Sequence, residues 1–410
     1  MDRTAIADGR YVVISADGHA GATVADYKPY LERRWHDDFD RWAATFVNPF
    51  ADLRREIAYR NWDSTRRLEE LDADGVVAEV LFPNTIPPFF EGSNLMLPPP
   101  TRENFARRWA GLQAHNRWMV DFCADAPGRR AGMAQIFLND VDKAVAEIGW
   151  AKEAGLFGGV LLPGVPPDAD IPPLYAADYE PIWAACEELD MPINNHSGSA
   201  APDYGDHAAA RPVLLTELGW FSHRSFWHLM FGLVFERHPR LKLVLTEQSG
   251  ASWVPGMLRH LDELCMRMTV GGSESNFGGD VVRQLSLTPS EYWQRNCYVG
   301  ASFMQRADAE VRHEVGVDRI LWGGDYPHVE GTYPYSRESF RHTFAGVAAD
   351  EIAAILGGNA AHVYGFDLDR LAPLAATIGP AVDEVATPLG QLPDAPLCRA
   401  FTEPSIVKPW

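Results

Sequence analysis

Ile320-Leu321-Trp322-Gly323-Gly324-Asp325-Tyr326-Pro327-His328 is an apolar run that stops at two glycines and a carboxylate. The run has strand character, and the glycines let the backbone pass close to a neighbour. Seven runs of the same kind precede it, at residues 11–15, 76–82, 131–137, 159–162, 192–195, 241–246 and 297–300. Between the runs lie stretches of helical periodicity at 102–124, 141–154, 179–189, 208–236 and 252–268, with shorter ones at 307–315 and 350–356. Eight strands alternating with helices predict an α/β fold, the closed (β/α)8 TIM barrel. An open doubly wound sheet is the weaker reading, because no glycine-rich phosphate signature follows any strand. The pairs Gly271-Gly272 and Gly278-Gly279 read as a polar connection.

Residues 1–366 are read as one barrel with insertions at 20–70 and 270–296, and 367–410 as a Pro- and Ala-rich tail. Segments longer than ordinary connectors at the ends of barrel strands make lids or partner contacts. The 20–70 segment is expected to be a lid, and the tail to wrap the surface or a neighbouring copy in a homo-oligomer.

The chain has 410 residues, with 36 Lys plus Arg against 56 Asp plus Glu and a formal net charge of −20. That charge and the lack of a basic run disfavour any surface that binds by neutralising phosphates, so nucleic acid is not an expected partner. No apolar stretch approaches the roughly 18 residues a membrane span needs, and no basic, then apolar, leader is readable. A cytoplasmic location without membrane contact is therefore expected. Cys123, Cys186, Cys265, Cys297 and Cys398 are scattered and form no C-x-x-C pair, which argues against disulfides and zinc-thiolate sites alike. Chemistry is left to histidine and carboxylate.

Barrel active sites lie at the C-terminal ends of the strands. There the sequence places Asp17 and His19, then His196, Glu247, Asp325 and His328. Asp17 and His19 are two apart, so on an extended chain they point to one face. Glu247 and Asp325 each end an apolar strand, where a carboxylate is expensive to bury unless paired or coordinating. Glu79, His207, Glu217, His223 and His228 form a weaker supporting group. Glu79 can turn inward to a metal or pair with an arginine, and His223 and His228 have the setting of packed histidines. Trp35, Trp42, Phe46, Phe50, Trp62, Phe89 and Phe90 fall in the lid segments and suggest a mouth for a bulky apolar small molecule, although core packing also explains them. Arg60, Arg66 and Arg67 are candidates to hold a substrate carboxylate or to pair with nearby acids.

Five blocks carry a family resemblance: Ile14-Ser15-Ala16-Asp17-Gly18-His19, Asn195-His196-Ser197-Gly198, residues 236–242, residues 323–328, and residues 358–366. On these the chain resembles the amidohydrolase superfamily, in its amidohydrolase-related (amidohydrolase 2), aminocarboxymuconate-semialdehyde-decarboxylase-like branch. The resemblance implies a barrel of the metal-dependent hydrolase type, with a divalent metal held by Asp17, His19, His196 and Asp325. It also implies that Asp325 orients or deprotonates a metal-bound water. Two departures stand out: the first motif, commonly H-x-H or E-x-H, is Asp17-x-His19, and a strand-6 position often occupied by His is Glu247.

Six candidate ligands, Asp17, His19, His196, Glu247, Asp325 and His328, exceed the three or so that one catalytic zinc uses. A carboxylate-rich mixed set suits iron or manganese. The leading expectation is accordingly a non-haem diiron monooxygenase hydroxylating a bulky apolar molecule, with Asp325, Glu247 and His328 as catalytic residues and two Fe as cofactor. The alternative is a mononuclear hydrolase or non-oxidative decarboxylase using Zn or Mn, with Glu247 and His328 orienting the ligands. A third possibility is a non-catalytic ligand-binding barrel, favoured if the carboxylates prove to be paired with arginine.

Overall fold

The computed structural model describes residues 5–49, 52–92, 96–248 and 250–402. Phe50 of the lid and residues 403–410 of the tail lie outside them. Eight parallel strands form the barrel wall: β1 (Ile14–Ala20), β2 (Ala78–Pro83), β3 (Arg130–Gly132, resuming at Ala134–Gln135), β4 (Val160–Leu161), β5 (Ile193–His196), β6 (Leu243–Thr246), β7 (Cys297–Ser302) and β8 (Ile320–Gly323). β3 joins the two halves of the wall, since Arg130–Gly132 pairs with β2 and Ala134–Gln135 with β4. At the seam, the Asp325 N–H donates to the Asp17 carbonyl at 2.8 Å and the His19 N–H to the Tyr326 carbonyl at 2.7 Å.

All eight strands fall on the predicted apolar runs, with one displacement. β1 begins and ends later than residues 11–15 and includes Asp17 and His19, every residue of it buried. Polarity made those two look like residues beyond a strand. In a barrel interior, inward polar side chains that converge on a common centre stay extended because the neighbouring strands still satisfy their backbone. A register shift between Ser15 and Gly18 relative to β2 marks a bulge, a common device for re-aiming side chains at active sites.

Two connections differ from expectation. The segment read as a polar connection at 270–296 holds helices Ser273–Val282 and Pro289–Asn296. The second is set by a capping box: the Glu291 N–H donates to the Thr288 hydroxyl at 3.3 Å and the Thr288 N–H to the Glu291 carboxylate at 2.7 Å. The tail also folds. Helix Leu368–Ile378 leads to a segment that pairs with the N-terminal hairpin, where the Tyr11 N–H donates to the Pro380 carbonyl and the Val382 N–H to the Gly9 carbonyl, both at 3.0 Å.

The 20–70 segment forms helix His36–Thr45, helix Ser64–Asp74 and short 3-10 turns. Its aromatic residues fill small cores of their own. Phe39 packs with Phe89 and Ala114, and Trp42 and Phe46 stack at 4.6 Å against the group containing Phe90 and Phe137. Phe39, Trp42, Phe46, Phe89 and Phe90 thus have packing partners on helix Phe105–Ala124. No described helix is long and apolar enough to cross a membrane.

Candidate metal centre

Strand geometry brings the six predicted residues to one end of the barrel. β1 contributes Asp17 and His19, β5 ends in His196, Glu247 follows β6, and Asp325 and His328 follow β8. Glu247 and Asp325 both have φ of 57°, a left-handed turn rarely adopted by side chains other than Asn or Asp, which swings each carboxylate off its strand.

His19 Nε2 lies 3.3 Å from Asp17 Oδ1 and 3.1 Å from Asp325 Oδ1, and His196 Nε2 lies 3.7 Å from Asp17 Oδ1. These are separations that donors adopt around one cation at about 2.0–2.2 Å each. Two overlapping groups, Asp17 with His19 and His196, and His19 with Asp325 and His328, have ligand atoms within 4.8 Å of one another. Asp17 Oδ1, both ring nitrogens of His19, His196 Nε2 and both oxygens of Asp325 are buried without a hydrogen-bond partner among the described residues. Leaving so many buried polar atoms unsatisfied in one place is prohibitively costly, whereas a divalent cation satisfies most of them at once. The donor set of two carboxylates and two imidazoles fits such an ion.

The remaining valences are assigned by neighbours. Ser302, the last residue of β7, donates its hydroxyl to Asp17 Oδ2, which leaves Oδ1 toward the histidines. His196 Nδ1 donates to the Ser197 carbonyl at 3.0 Å, with Glu247 Oε2 at 3.5 Å on the same side. In the neutral, ligating form the proton therefore sits on Nδ1, and Nε2 presents its lone pair toward Asp17. Glu247 thus approaches His196 from the side away from Asp17. The His328 ring stands edge-on to His19 with centroids 4.6 Å apart. Phe82 closes the apolar side, its ring 4.7 Å from that of His196.

The electrostatics are strongly polarised. Burial pushes Asp17 up, yet hydrogen bonds and charge from His19 and His196 outweigh it and hold Asp17 far below the usual carboxylate range. Burial opposes charge on His196, but Asp17 and Glu247 raise it to about 9. Asp325 goes the other way: burial, reinforced by the charges of Asp17 and Glu247 and opposed by His328, drives it well above the carboxylate range. Glu247 is also raised, first by burial. Three carboxyls and the His196 imidazole are thus shifted in different directions, a pattern typical of functional sites.

The weaker candidates have other partners among the described residues. Glu79 faces no cation-binding cluster; Arg67 forks onto it at 2.8 and 2.7 Å. His207 Nδ1 accepts the Ala209 N–H at 3.1 Å, and Glu217 takes the Tyr204 hydroxyl. His223 stacks on Trp253 at 3.6 Å, and His228 meets Tyr175 edge-on at 5.2 Å; burial lowers both to about 4. The arginines considered for a substrate carboxylate are engaged elsewhere: Arg60 pairs with Glu70 at 2.8 Å, Arg66 lies over Tyr59, and Arg67 is fully buried. Ser302 was not anticipated. It stands two residues past the predicted end of the seventh strand, the same kind of position that Asp17, His196 and Asp325 hold on theirs.

The sequence profile described as Amidohydrolase matches residues 32–366. A gamma-resorcylate decarboxylase of Rhizobium sp. is 25% identical over 288 residues, 67% of this chain and 80% of that protein. Among solved structures, 5-carboxyvanillate decarboxylase LigW of Sphingomonas paucimobilis aligns with TM-score 0.64 and 19% identity, covering 87% of this chain and 99% of that one. The 5-carboxyvanillate decarboxylase of Novosphingobium aromaticivorans, complexed with manganese and 4-hydroxy-3-methoxy-5-nitrobenzoic acid, aligns with TM-score 0.61 and 19% identity, covering 89% and 99%. A metal-dependent TIM barrel of amidohydrolase type is what fold and site define. The chain belongs to the amidohydrolase family.

These relatives correct the leading expectation. They are decarboxylases, not oxygenases, so neither the diiron monooxygenase nor the two-iron cofactor stands. The count of six ligands misled because a spacing in sequence cannot separate a metal ligand from its orienting partner. In space, Glu247 addresses the opposite nitrogen of His196. The non-catalytic barrel is also disfavoured, since among the described residues Asp17 and Asp325 have histidine neighbours and no arginine partner.

Proposed function

We propose that this protein is a divalent-metal-dependent, non-oxidative decarboxylase of a small carboxylated aromatic compound, with Asp17, His19, His196 and Asp325 as metal ligands. The observation that carries the reading is the cluster of buried, unsatisfied donors on these four residues at the barrel mouth. The decarboxylase relatives, and the manganese named with solved neighbours, favour manganese over zinc. When bound, the ion would supply electrophilic stabilisation of the negative charge that develops on substrate oxygens.

The chain's own residues supply the rest. Ser302 and the Ser197 carbonyl fix the rotamer of Asp17 and the tautomer of His196, so two donors are preorganised. As the bond between ring and carboxylate carbon breaks and carbon dioxide leaves, the ring carbon must gain a proton. Asp325, whose two carboxyl oxygens are buried in the cluster without a hydrogen-bond partner among the described residues, is the group we assign to deliver that proton, leaving it as a carboxylate. Glu247 flanks the Nδ1 side of His196, with its side chain one-fifth exposed. A cleft of about 370 Å³ opens beside Gly198, two residues past His196, and is lined by Met96, Pro166, Tyr204, Arg211 and Leu214, none of them a residue of the donor cluster.

The test is to load the purified protein with Mn²⁺ and incubate it with a panel of hydroxybenzoates, gamma-resorcylate and 5-carboxyvanillate included. Release of carbon dioxide with the matching phenol, without oxygen uptake, is expected. Hydrolysis of ester or amide analogues without any decarboxylation would overturn the reading.

A further inference from the structure

We propose that the buried Arg67–Glu79 pair is a positioning element that holds His19 in ligating register from behind β1, and not an anchor for substrate. The inference rests on the reading of His19 as a metal ligand. Arg67 comes from helix Ser64–Asp74 and is 0% exposed, so no substrate reaches it. Its Nε and Nη2 fork onto the two oxygens of Glu79 at 2.8 and 2.7 Å, while Nη1 donates to the His19 carbonyl at 2.8 Å and the Arg60 carbonyl at 2.7 Å.

The guanidinium also lies over the Tyr326 ring, 4.6 Å from its centroid. Tyr326 is the residue whose carbonyl accepts the His19 N–H at 2.7 Å. Both backbone groups of His19 are therefore fixed, one by Arg67 and the other by a residue that Arg67 covers. Glu79 is rigid in turn: it sits on β2, and Arg130 of β3 approaches it with Nε at 3.6 Å. Gly18 belongs to the same device. A Cβ there would lie 3.0 Å from Glu79 Oε2 and 3.3 Å from the Val80 carbonyl, so the residue between the two ligands is small because the ion pair fills the space behind it.

The experiment compares the unaltered chain with Glu79→Gln, Arg67→Lys and Gly18→Ala. Each metal-stripped protein is checked for folding by circular dichroism and titrated calorimetrically with Mn²⁺. Orienting partners of metal ligands typically carry about 10- to 100-fold in affinity, and a loss of that size is expected in the folded variants. The visible spectrum of the Co²⁺-loaded Glu79→Gln protein should shift as well. A purely structural pair would lower the melting temperature of the metal-free protein and leave affinity and spectrum alone, which would overturn the inference. Should Glu79→Gln or Arg67→Lys fail to fold, unchanged Mn²⁺ affinity in Gly18→Ala overturns it. Failure of the unaltered chain to bind Mn²⁺ instead overturns the metal centre itself.

Discussion

His196 is charged in the metal-free protein up to about pH 9, because Asp17 and Glu247 favour its proton more than burial opposes it. A ligand must be neutral, so metal capture at pH 7 displaces protons. Mn²⁺ affinity is expected to rise up to tenfold per pH unit toward pH 9, with calorimetric heats that change with the buffer's ionisation enthalpy. Affinity independent of pH between 6.5 and 8.5 would show that Nε2 is already free. Asp325→Asn removes the proposed proton donor, and carbon dioxide release should fall at least about 100-fold, the usual scale of general acid catalysis. At this scale the sequence was informative about identity and poor about roles. Asp17, His19, His196 and Asp325 stood out because polar residues rarely end apolar strands. That Glu247 serves His196 and that Arg67 serves His19 depends on distances between strands, which spacing along the chain does not encode.

Elements were easier to read than their contacts. Strands and helices of the barrel announce themselves through apolar runs and period, whereas the helix Ser273–Val282 was hidden by glycines in its sequence. Helix Phe105–Ala124 carries Gly111 where a Cβ would lie 1.9 Å from the Pro88 carbonyl. Gly111→Ala must push the loop after β2 away, and thermal denaturation should show a loss of about 1–3 kcal/mol, the usual scale of overpacking. Asp74, the last residue of helix Ser64–Asp74, is bound by the N–H of Ser336 at 3.1 Å and by its hydroxyl. Burial nonetheless raises Asp74 to about 6. Its protonated form is the one the fold prefers, so its stabilising effect is complete below about pH 4 and is lost as pH rises through 6. Asp74→Asn should therefore gain in melting temperature relative to the unaltered chain between pH 4 and pH 7. A difference that stays constant over that range would contradict the assignment.

Over the whole molecule, the tail that composition suggested would wrap a surface is part of the fold. Leu371, Ala375 and Val385 are buried, and the tail bonds to the N-terminal hairpin. A chain ended after Phe366 should lose several degrees of melting temperature, since each buried aliphatic side chain contributes about 1.5–3 kcal/mol. Mn²⁺ at a hundred times its dissociation constant should add about 2.7 kcal/mol of stability, reversed by chelation.

The seam has one more consequence, for the order of events as the chain folds. Ser302 bonds Asp17 across 285 residues, and the Gly324 N–H bonds the Ser15 hydroxyl across 309. Such distant partners meet late, after the intervening loops have closed. On the ribosome, β1 must wait for β8 to emerge, so the ligands stay apart until nearly the whole chain has been made. A nascent fragment, or one truncated before β8, should therefore be unable to sequester metal, and capture of the ion would report that the last strand has docked.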